Sequence, residues 1–334
     1  MPEHPVLEEG FAGKGTAPNV LPLLGAGLEV NVRVPATSAN LGPGFDSMGL
    51  ALGLYDSILV RTADTGSTVV NASGEGVEAL PDDHTHLVAR SVLETLEKLG
   101  WASPGLELDT VNVIPHGRGL GSSAAAIVSG VLAANALVPS ADQLDLPGLL
   151  QWCSELEGHP DNVAPALLGS LAISWDTGGT YRSVRVKVHP DIIPIAAIPA
   201  GELSTATARS LLPAVVAHRD AAANSGRAAL LLHALTSDPG LLLPATRDFL
   251  HQEHRAQAMA PSAAIMHAMR DLGFASVISG AGPTLMTLVG GEQEARRALD
   301  ALAGLTADSC GNGSWRVCRL EVAREGAKVE VHQR

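Results

Sequence analysis

The run Pro115 to Ala126, PHGRGLGSSAAA, places three spaced glycines ahead of two serines and a string of alanines. Gly117, Gly119 and Gly121 can take positive φ and let the backbone approach a ligand closely. The helix expected downstream begins with N–H groups that have no internal partners, and its dipole favours negative charge. This is anion-binding chemistry, and phosphate is its natural ligand. A P-loop would need a lysine directly after its last glycine. Gly121 is followed instead by Ser122, and Lys14, Lys98, Lys187 and Lys328 all lie elsewhere. Phosphate must then be held by backbone amides, the helix N-terminus and a metal ion. Ser122 is the natural N-cap, and Ser123 can offer its hydroxyl to the metal. A tight turn feeding a capped helix accounts for the glycines equally well. The paired serines before an alanine-rich helix, with no lysine, favour phosphate.

Other polar constellations surround this loop in sequence. PATSANLGPGFDSMG, Pro35 to Gly49, reads as a rigid turn after a strand, displaying Thr37, Ser38, Asn40 and Asp46. Asp46 can accept from a hydroxyl or an ammonium, and Asn40 can donate and accept. A turn whose Asn and Asp satisfy only backbone is an equal reading. ELEGHPDN, Glu155 to Asn162, follows a helix and carries carboxylates able to join a serine and nucleotide phosphates around Mg²⁺. Asp161 could accept a proton or orient a hydroxyl. SGAGPT, Ser279 to Thr284, is a second glycine-rich turn between strands that suits a close backbone approach to a binding cleft, although spacing alone favours a plain hairpin turn. Arg209 and Arg255, in STATAR and HQEHR, could each grip a carboxylate or phosphate, although an isolated arginine is more often a surface ion pair.

The elements that must position these groups are those of a two-domain chain. With 334 residues, 46% of them hydrophobic, the chain can build two sizeable cores. A formal charge of −13 argues against general binding to nucleic acid or anionic membrane. No apolar run approaches membrane-spanning length, and the acidic start offers no secretory leader. Cys153, Cys310 and Cys318 lack C-x-x-C spacing and read as buried reduced thiols of a cytosolic protein. The twelve histidines show no zinc-binding spacing.

Residues 1–27 read as a disordered extension, 28–190 as an N-terminal nucleotide-binding domain and 191–334 as a C-terminal domain, with the change at His189-Pro190. Strands are expected over Leu28–Val34, Tyr55–Arg61, Thr68–Ala72, Val111–Ile114, Gly169–Trp175, Val184–Val188, Ile192–Ile198, Ala275–Ser279, Thr284–Val289, Trp315–Glu321 and Val329–His332. Amphipathic helices are expected around Val88–Leu99, after Ser123, through the segment ending in ELEGHPDN, and at Thr205–Leu212, Ala221–Leu235, Ser262–Leu272 and Gln293–Leu302.

Taken in order, PATSANLGPGFDSMG, PHGRGLGSSAAA and SGAGPT resemble the first, second and third motifs of the GHMP kinase superfamily. T-S-A-N-L-G-P-G-F-D, EGHPDNVAPALLG, LSTATARSLLP and His254-Arg255 are similar to the homoserine kinase branch. The resemblance runs from about Leu28 to the end of the chain. It implies an α+β, two-domain GHMP kinase fold, with a ribosomal-protein-S5-domain-2-like N-terminal half and a ferredoxin-like C-terminal half. It also implies ATP-dependent phosphorylation of the L-homoserine hydroxyl, in threonine biosynthesis.

By position, Pro115, His116, Gly117, Arg118, Gly119, Leu120, Gly121, Ser122, Ser123, Ala124 and Ala125 would hold ATP. Ser123 and Glu157 would hold Mg²⁺. Asn40, Asp46, Arg209 and Arg255 would hold homoserine, and Asp161 and Asn162 would lie near the attacking hydroxyl. His86 stands where relatives often have Asn near adenine. The implied partners are the small-molecule substrate and a second copy in a homodimer, with neither nucleic acid nor membrane. Mevalonate or a sugar as acceptor, and a non-catalytic ligand sensor, are the competing readings. Two arginines argue against a sugar, and the retained Ser123 and Glu157 argue against a sensor.

Overall fold

The computed structural model describes residues 21–308 and 314–332. Eleven strands and ten helices follow in chain order: β1 (Glu29–Asn40), β2 (Gly44–Thr62), β3 (Thr68–Gly74), α1 (Leu87–Lys98), β4 (Leu106–Asn112), α2 (Ser122–Leu137), α3 (Leu146–Glu157), α4 (Pro160–Leu168), β5 (Leu171–Thr177), β6 (Thr180–Val186) and β7 (Ile192–Pro199), then α5 (Thr205–Ser210), α6 (His218–Thr236), α7 (Leu242–Ala245), α8 (Gln252–Arg255), α9 (Ala260–Asp271), β8 (Ala275–Ile278), β9 (Leu285–Gly290), α10 (Glu292–Asp308), β10 (Trp315–Arg319) and β11 (Lys328–His332).

The N-terminal lobe is a seven-stranded sheet in the order β11-β1-β2-β4-β3, with β5 and β6 branching from β2. All its pairings are antiparallel except β3 with β4. Val30, Val32 and Val34 point inward while Glu29, Asn31 and Arg33 alternate outward, the period of a half-buried strand. Helix α2 departs from the striped helix expected from its sequence. Ala124, Val128, Val131 and Ala134 are buried, and so are Ser129, Gly130 and Asn135 between them. Its small residues let neighbours come close: a Cβ on Gly130 would sit 2.6 Å from the Val88 carbonyl oxygen of α1.

The C-terminal lobe is antiparallel in the order β10-β7-β9-β8. Counted within this lobe, strand order 4-1-3-2 with α9 and α10 packed on it is the ferredoxin-like sandwich that the motifs imply. Ile193, Ile195 and Ala197 of β7 enter the core beneath α9 and α10. Ala196 and Ile198, on the opposite face, join the core of the N-terminal lobe together with Leu231 and Leu235 of α6. With both faces covered, β7 reads as an unbroken apolar run.

Three expectations change. Residues 21–27 are ordered against the N-terminal lobe: Leu24 is buried, its amide donates to the Ala102 carbonyl at 3.0 Å, and the Gly27 amide donates to the Thr62 carbonyl of β2 at 2.7 Å. The remainder of the expected extension, residues 1–20, lies outside the described residues. The boundary at 190/191 does not separate two independent halves, because β11 returns to pair with β1. Third, the segment ending in ELEGHPDN is two helices. Gly158 takes φ +87° and ends α3, and Pro160 opens α4, so Asp161 and Asn162 occupy a helix N-terminus. Cys153 is buried and Cys318 half-buried, both unpaired, and Cys310 lies outside the described residues.

Candidate active site

Between the lobes lies a cleft of about 110 Å³, lined by Asn40, Asp46, the glycines of the Gly117–Gly121 loop, Ser122, Ser123, Glu157, Asp161, Asn162, Arg209, Arg255 and Gly280, among others. It opens into a vestibule of about 830 Å³ past Ser47, Trp175 and Thr205. Sequence segments more than 200 residues apart therefore converge on one site.

The glycine loop is held from both lobes. Gly117, Gly119 and Gly121 have φ of +62°, +73° and +71°. A Cβ on Gly119 would lie 2.2 Å from the Ser279 carbonyl oxygen, and one on Gly121 would lie 2.0 Å from Thr37 Oγ1. Ser279 donates its hydroxyl to the Gly119 carbonyl at 2.6 Å, within the turn that spacing alone had suggested to be a plain hairpin. Gly121, in left-handed conformation, takes the N-cap position expected for Ser122, which becomes the first helical residue. Arg118 spends its guanidinium on the carbonyls of His116, Pro199 and Ala200 at 2.9, 3.0 and 2.8 Å. It pins the loop to the end of β7. Its Nη1 also lies 3.5 Å from Glu202 Oε1.

Ser123 Oγ donates to Glu157 Oε2 at 2.8 Å, joining the first turn of α2 to the end of α3. Burial raises the Glu157 pKa above its ordinary value, opposed by the Ser123 hydrogen bond. A carboxylate short of partners beside a hydroxyl oxygen is a hard two-oxygen donor set, and it fits Mg²⁺ completed by phosphates and water.

At the start of α4, Asp161 Oδ1 lies 2.6 Å from His159 Nδ1. Burial works against the His159 charge, but the Asp161 hydrogen bond and the Asp161 and Glu157 charges outweigh it and raise its pKa. Thr37 Oγ1 donates to Asn162 Oδ1 at 2.7 Å. The Asn162 amide nitrogen is thus the end left for the cleft, and it can only donate. Gly49 permits this close packing of β2 on α4, since a Cβ there would lie 1.9 Å from the Asp161 carbonyl oxygen.

The polar loop after β1 is tighter than expected. The strand runs on to Asn40, and Asn40, Leu41 and Asp46 all have positive φ. Asn40 Nδ2 donates to the Gly280 carbonyl at 2.8 Å, and its Oδ1 accepts from the Asp46 amide at 3.0 Å. Its side chain fixes the loop. Asp46 pairs with Arg209 of α5 through two contacts, Oδ1 to Nη2 at 2.8 Å and Oδ2 to Nη1 at 3.1 Å. Arg255 is buried, at 2% exposure. Its recorded partners are all neutral: the carbonyls of Ala208 and Gly280, and His251 Nδ1. Burial, then the charge of Arg209, lowers its pKa against the opposing charges of Asp46, Asp248 and Asp161. None of these carboxylates forms a direct ion pair with it among the described residues, and a buried guanidinium without such a partner is costly.

The sequence marked Thr37 as a displayed polar residue and SGAGPT as a glycine-rich turn, but gave no role to Thr37, His159, Ser279 or Gly280 individually. His159 and Thr37 stood inside motifs that were noted, but only the packing of α4 against β1 reveals what they touch. His86 caps α1, its Nδ1 accepting the Val88 amide at 3.3 Å, while its buried Nε2 has no protein partner.

The GHMP kinases N-terminal domain family matches residues 86–170, and the GHMP kinases C-terminal family matches residues 221–305. The chain belongs to the GHMP kinases. Among curated proteins it is 51% identical over 301 residues to homoserine kinase of Streptomyces avermitilis, covering 90% of this chain and 95% of that one. It is 46% identical over 308 residues to homoserine kinase of Clavibacter michiganensis, covering 92% and 96%. The structure of homoserine kinase from Cytophaga hutchinsonii superposes with a TM-score of 0.79 at 29% identity, covering 90% of this chain and 97% of that one. Mevalonate diphosphate decarboxylase of Staphylococcus aureus shares the fold alone, with a TM-score of 0.66 at 14% identity over 91% and 98% of the two chains. Within the GHMP kinases, the chain is a member of the homoserine kinase family.

Proposed function

We infer that this protein transfers the γ-phosphoryl group of ATP to the side-chain hydroxyl of L-homoserine, giving O-phospho-L-homoserine for threonine synthesis. The observation that carries the substrate assignment is Arg255, a buried guanidinium with only neutral partners at the end of a cleft. An α-carboxylate supplies the direct ion-pair partner that this residue lacks, and Asp46 offers the matching acceptor for an α-ammonium. Mevalonate brings a carboxylate but no ammonium, and a sugar brings neither.

The geometry supports the following roles. The backbone amides of the Gly117–Gly121 loop and the first turn of α2 cradle the phosphates, with Arg118 holding the loop in place. Ser123 and Glu157 are the side chains that would hold Mg²⁺, which when bound neutralises charge on the transferred phosphoryl group. Asn162 donates to an oxygen at the reacting centre, and its orientation by Thr37 rules it out as a base. The homoserine oxygen forms the new bond to phosphorus while the bond to the ADP oxygen breaks. In a loose transition state the hydroxyl proton departs late, to an oxygen of the transferred phosphoryl group or to solvent water, once the attacking oxygen's acidity has risen, so positioning outweighs strong base catalysis. Asp161, paired with His159, orients that hydroxyl.

A substrate without the carboxylate tests this reading. Phosphorylation of 3-aminopropan-1-ol, followed by ADP release, should proceed with a kcat/KM at least ~100-fold below that of L-homoserine, the cost of leaving a buried charge unpaired. Equal use of the two alcohols would contradict it.

A further inference from the structure

His251 sits immediately before α8, fully buried, behind the wall of the cleft that carries Asp46 and Arg255. No motif or role described above requires a histidine there. Its Nε2 lies 2.8 Å from the Gly42 carbonyl oxygen, on the loop that ends at Asp46. Its ring stacks on Phe45 with centroids 5.0 Å apart and planes inclined by 26°. Its Nδ1 lies 3.4 Å from Arg255 Nη1. The Arg255 guanidinium in turn sits 5.2 Å from the centre of the Phe45 ring. One imidazole thus touches both the loop that carries Asp46 and the guanidinium of Arg255.

These contacts determine its protonation. A carbonyl can only accept, so Nε2 must carry the proton toward Gly42. A guanidinium can only donate, so Nδ1 must be the bare nitrogen. The residue is then the neutral Nε2–H tautomer. Burial, against the opposing charge of Asp248, favours the same neutral form. Asp248 Oδ1 stands 3.7 Å from Nε2, but its carboxylate is engaged by the amides of Leu250, His251 and Gln252.

We propose that His251 is a positioning residue for the amino-acid substrate, coupling the Gly42–Asp46 loop to Arg255 so that the acceptor for the ammonium and the donor for the carboxylate keep a fixed separation. The proposal rests on the assignment of an α-amino acid to this cleft. It does not involve the glycine loop, Ser123 or Glu157, so the nucleotide side of the site serves as an internal control.

The test uses the full chain with Mg·ATP and L-homoserine. His251→Leu removes both polar contacts, and the KM for homoserine should rise about tenfold or more, as for a lost hydrogen bond to a charged group. The KM for ATP should stay within about twofold. His251→Gln, whose amide can again donate to the Gly42 carbonyl, should recover part of the loss. In wild-type protein labelled with ¹⁵N-histidine, the His251 resonances, assigned by their absence in His251→Gln, should report a neutral Nε2–H tautomer. This readout stands even if the leucine variant fails to fold.

An unchanged homoserine KM in His251→Leu, a parallel rise in both KM values, or an Nδ1–H or doubly protonated ring would each overturn the proposal. Failure of the wild type to turn over homoserine at all would instead remove the substrate assignment on which the proposal rests.

Discussion

Arg209 reaches from α5 to hold Asp46 in a two-point ion pair, at 2.8 and 3.1 Å, across the mouth of the cleft. Both side chains remain more than one-third exposed. Exposed pairs contribute little stability, so this pair can open at small cost. An α-amino acid carries the same two charges on one molecule. Its ammonium can replace Arg209 on Asp46 while its carboxylate replaces Asp46 on Arg209 and meets Arg255. The ion pair thus acts as a stand-in for the substrate's own charges. Removing one member tests the exchange: Asp46→Asn should raise the homoserine KM by about 10- to 100-fold, the cost of a hydrogen bond to a charged group. Steady-state kinetics at saturating ATP would read it.

Glu157→Gln addresses the other side of the cleft. The substitution keeps shape and removes the charge beside Ser123. Turnover should fall about 100-fold or more, as for a lost metal ligand. The circular dichroism spectrum and melting temperature should stay near wild type, because burial already disfavours the charged form of Glu157. Unchanged activity would refute its assignment as a Mg²⁺ ligand.

The same burial predicts a pH signature. Glu157 must be ionised to hold a metal ion, and its folded pKa is raised. Activity at limiting Mg²⁺ should therefore fall on acidification at a pH above the ordinary glutamate range. Added Mg²⁺ competes with the proton and should move that acid limb to lower pH. A limb that ignores Mg²⁺ concentration would contradict this.

His159 gives the opposite dependence for stability. Its folded pKa is raised, with the Asp161 hydrogen bond overcoming burial. The stabilisation from this pair is therefore fully present below the unfolded value of about 6.5 and is lost as pH rises through the higher folded value. Urea unfolding should find His159→Gln most destabilised relative to wild type near pH 5.5, with the difference shrinking by pH 9. A difference independent of pH would exclude a charged His159.

The glycine loop makes a backbone prediction. Gly119 combines φ +73° with a carbonyl 2.2 Å from where a Cβ would sit. Gly119→Ala should cost about 2 kcal/mol of stability. It should also raise the KM for ATP more than that for homoserine.

Much of the site was legible because the chemistry lies in local runs. The spaced glycines, Ser123, Glu157, Asp46 and both arginines stand out by residue type and motif order. What stayed hidden depends on contacts between distant segments. Ser122 looked like a cap, but Gly121 takes that place in left-handed conformation, with no room for a Cβ beside Thr37. The carbonyls that hold Arg118 could not be read from the sequence, because two of them lie more than 80 residues away. SGAGPT could be read both as a close approach to the cleft and as a simple hairpin, because spacing says nothing of Ser38 and Gly119, which its Ser279 touches. In the fold, the β11 return to β1 escaped because pairing across nearly the whole chain leaves no local trace. The all-round burial of α2 blurred its stripe because small residues pack on every side.

The most direct test of the account is ADP release by the purified protein with Mg·ATP, offering L-homoserine, mevalonate, galactose or no acceptor in parallel. The account predicts release with L-homoserine far above the background without acceptor, and little with the other two. Release that favours mevalonate or galactose, or that fails with every acceptor, would contradict it.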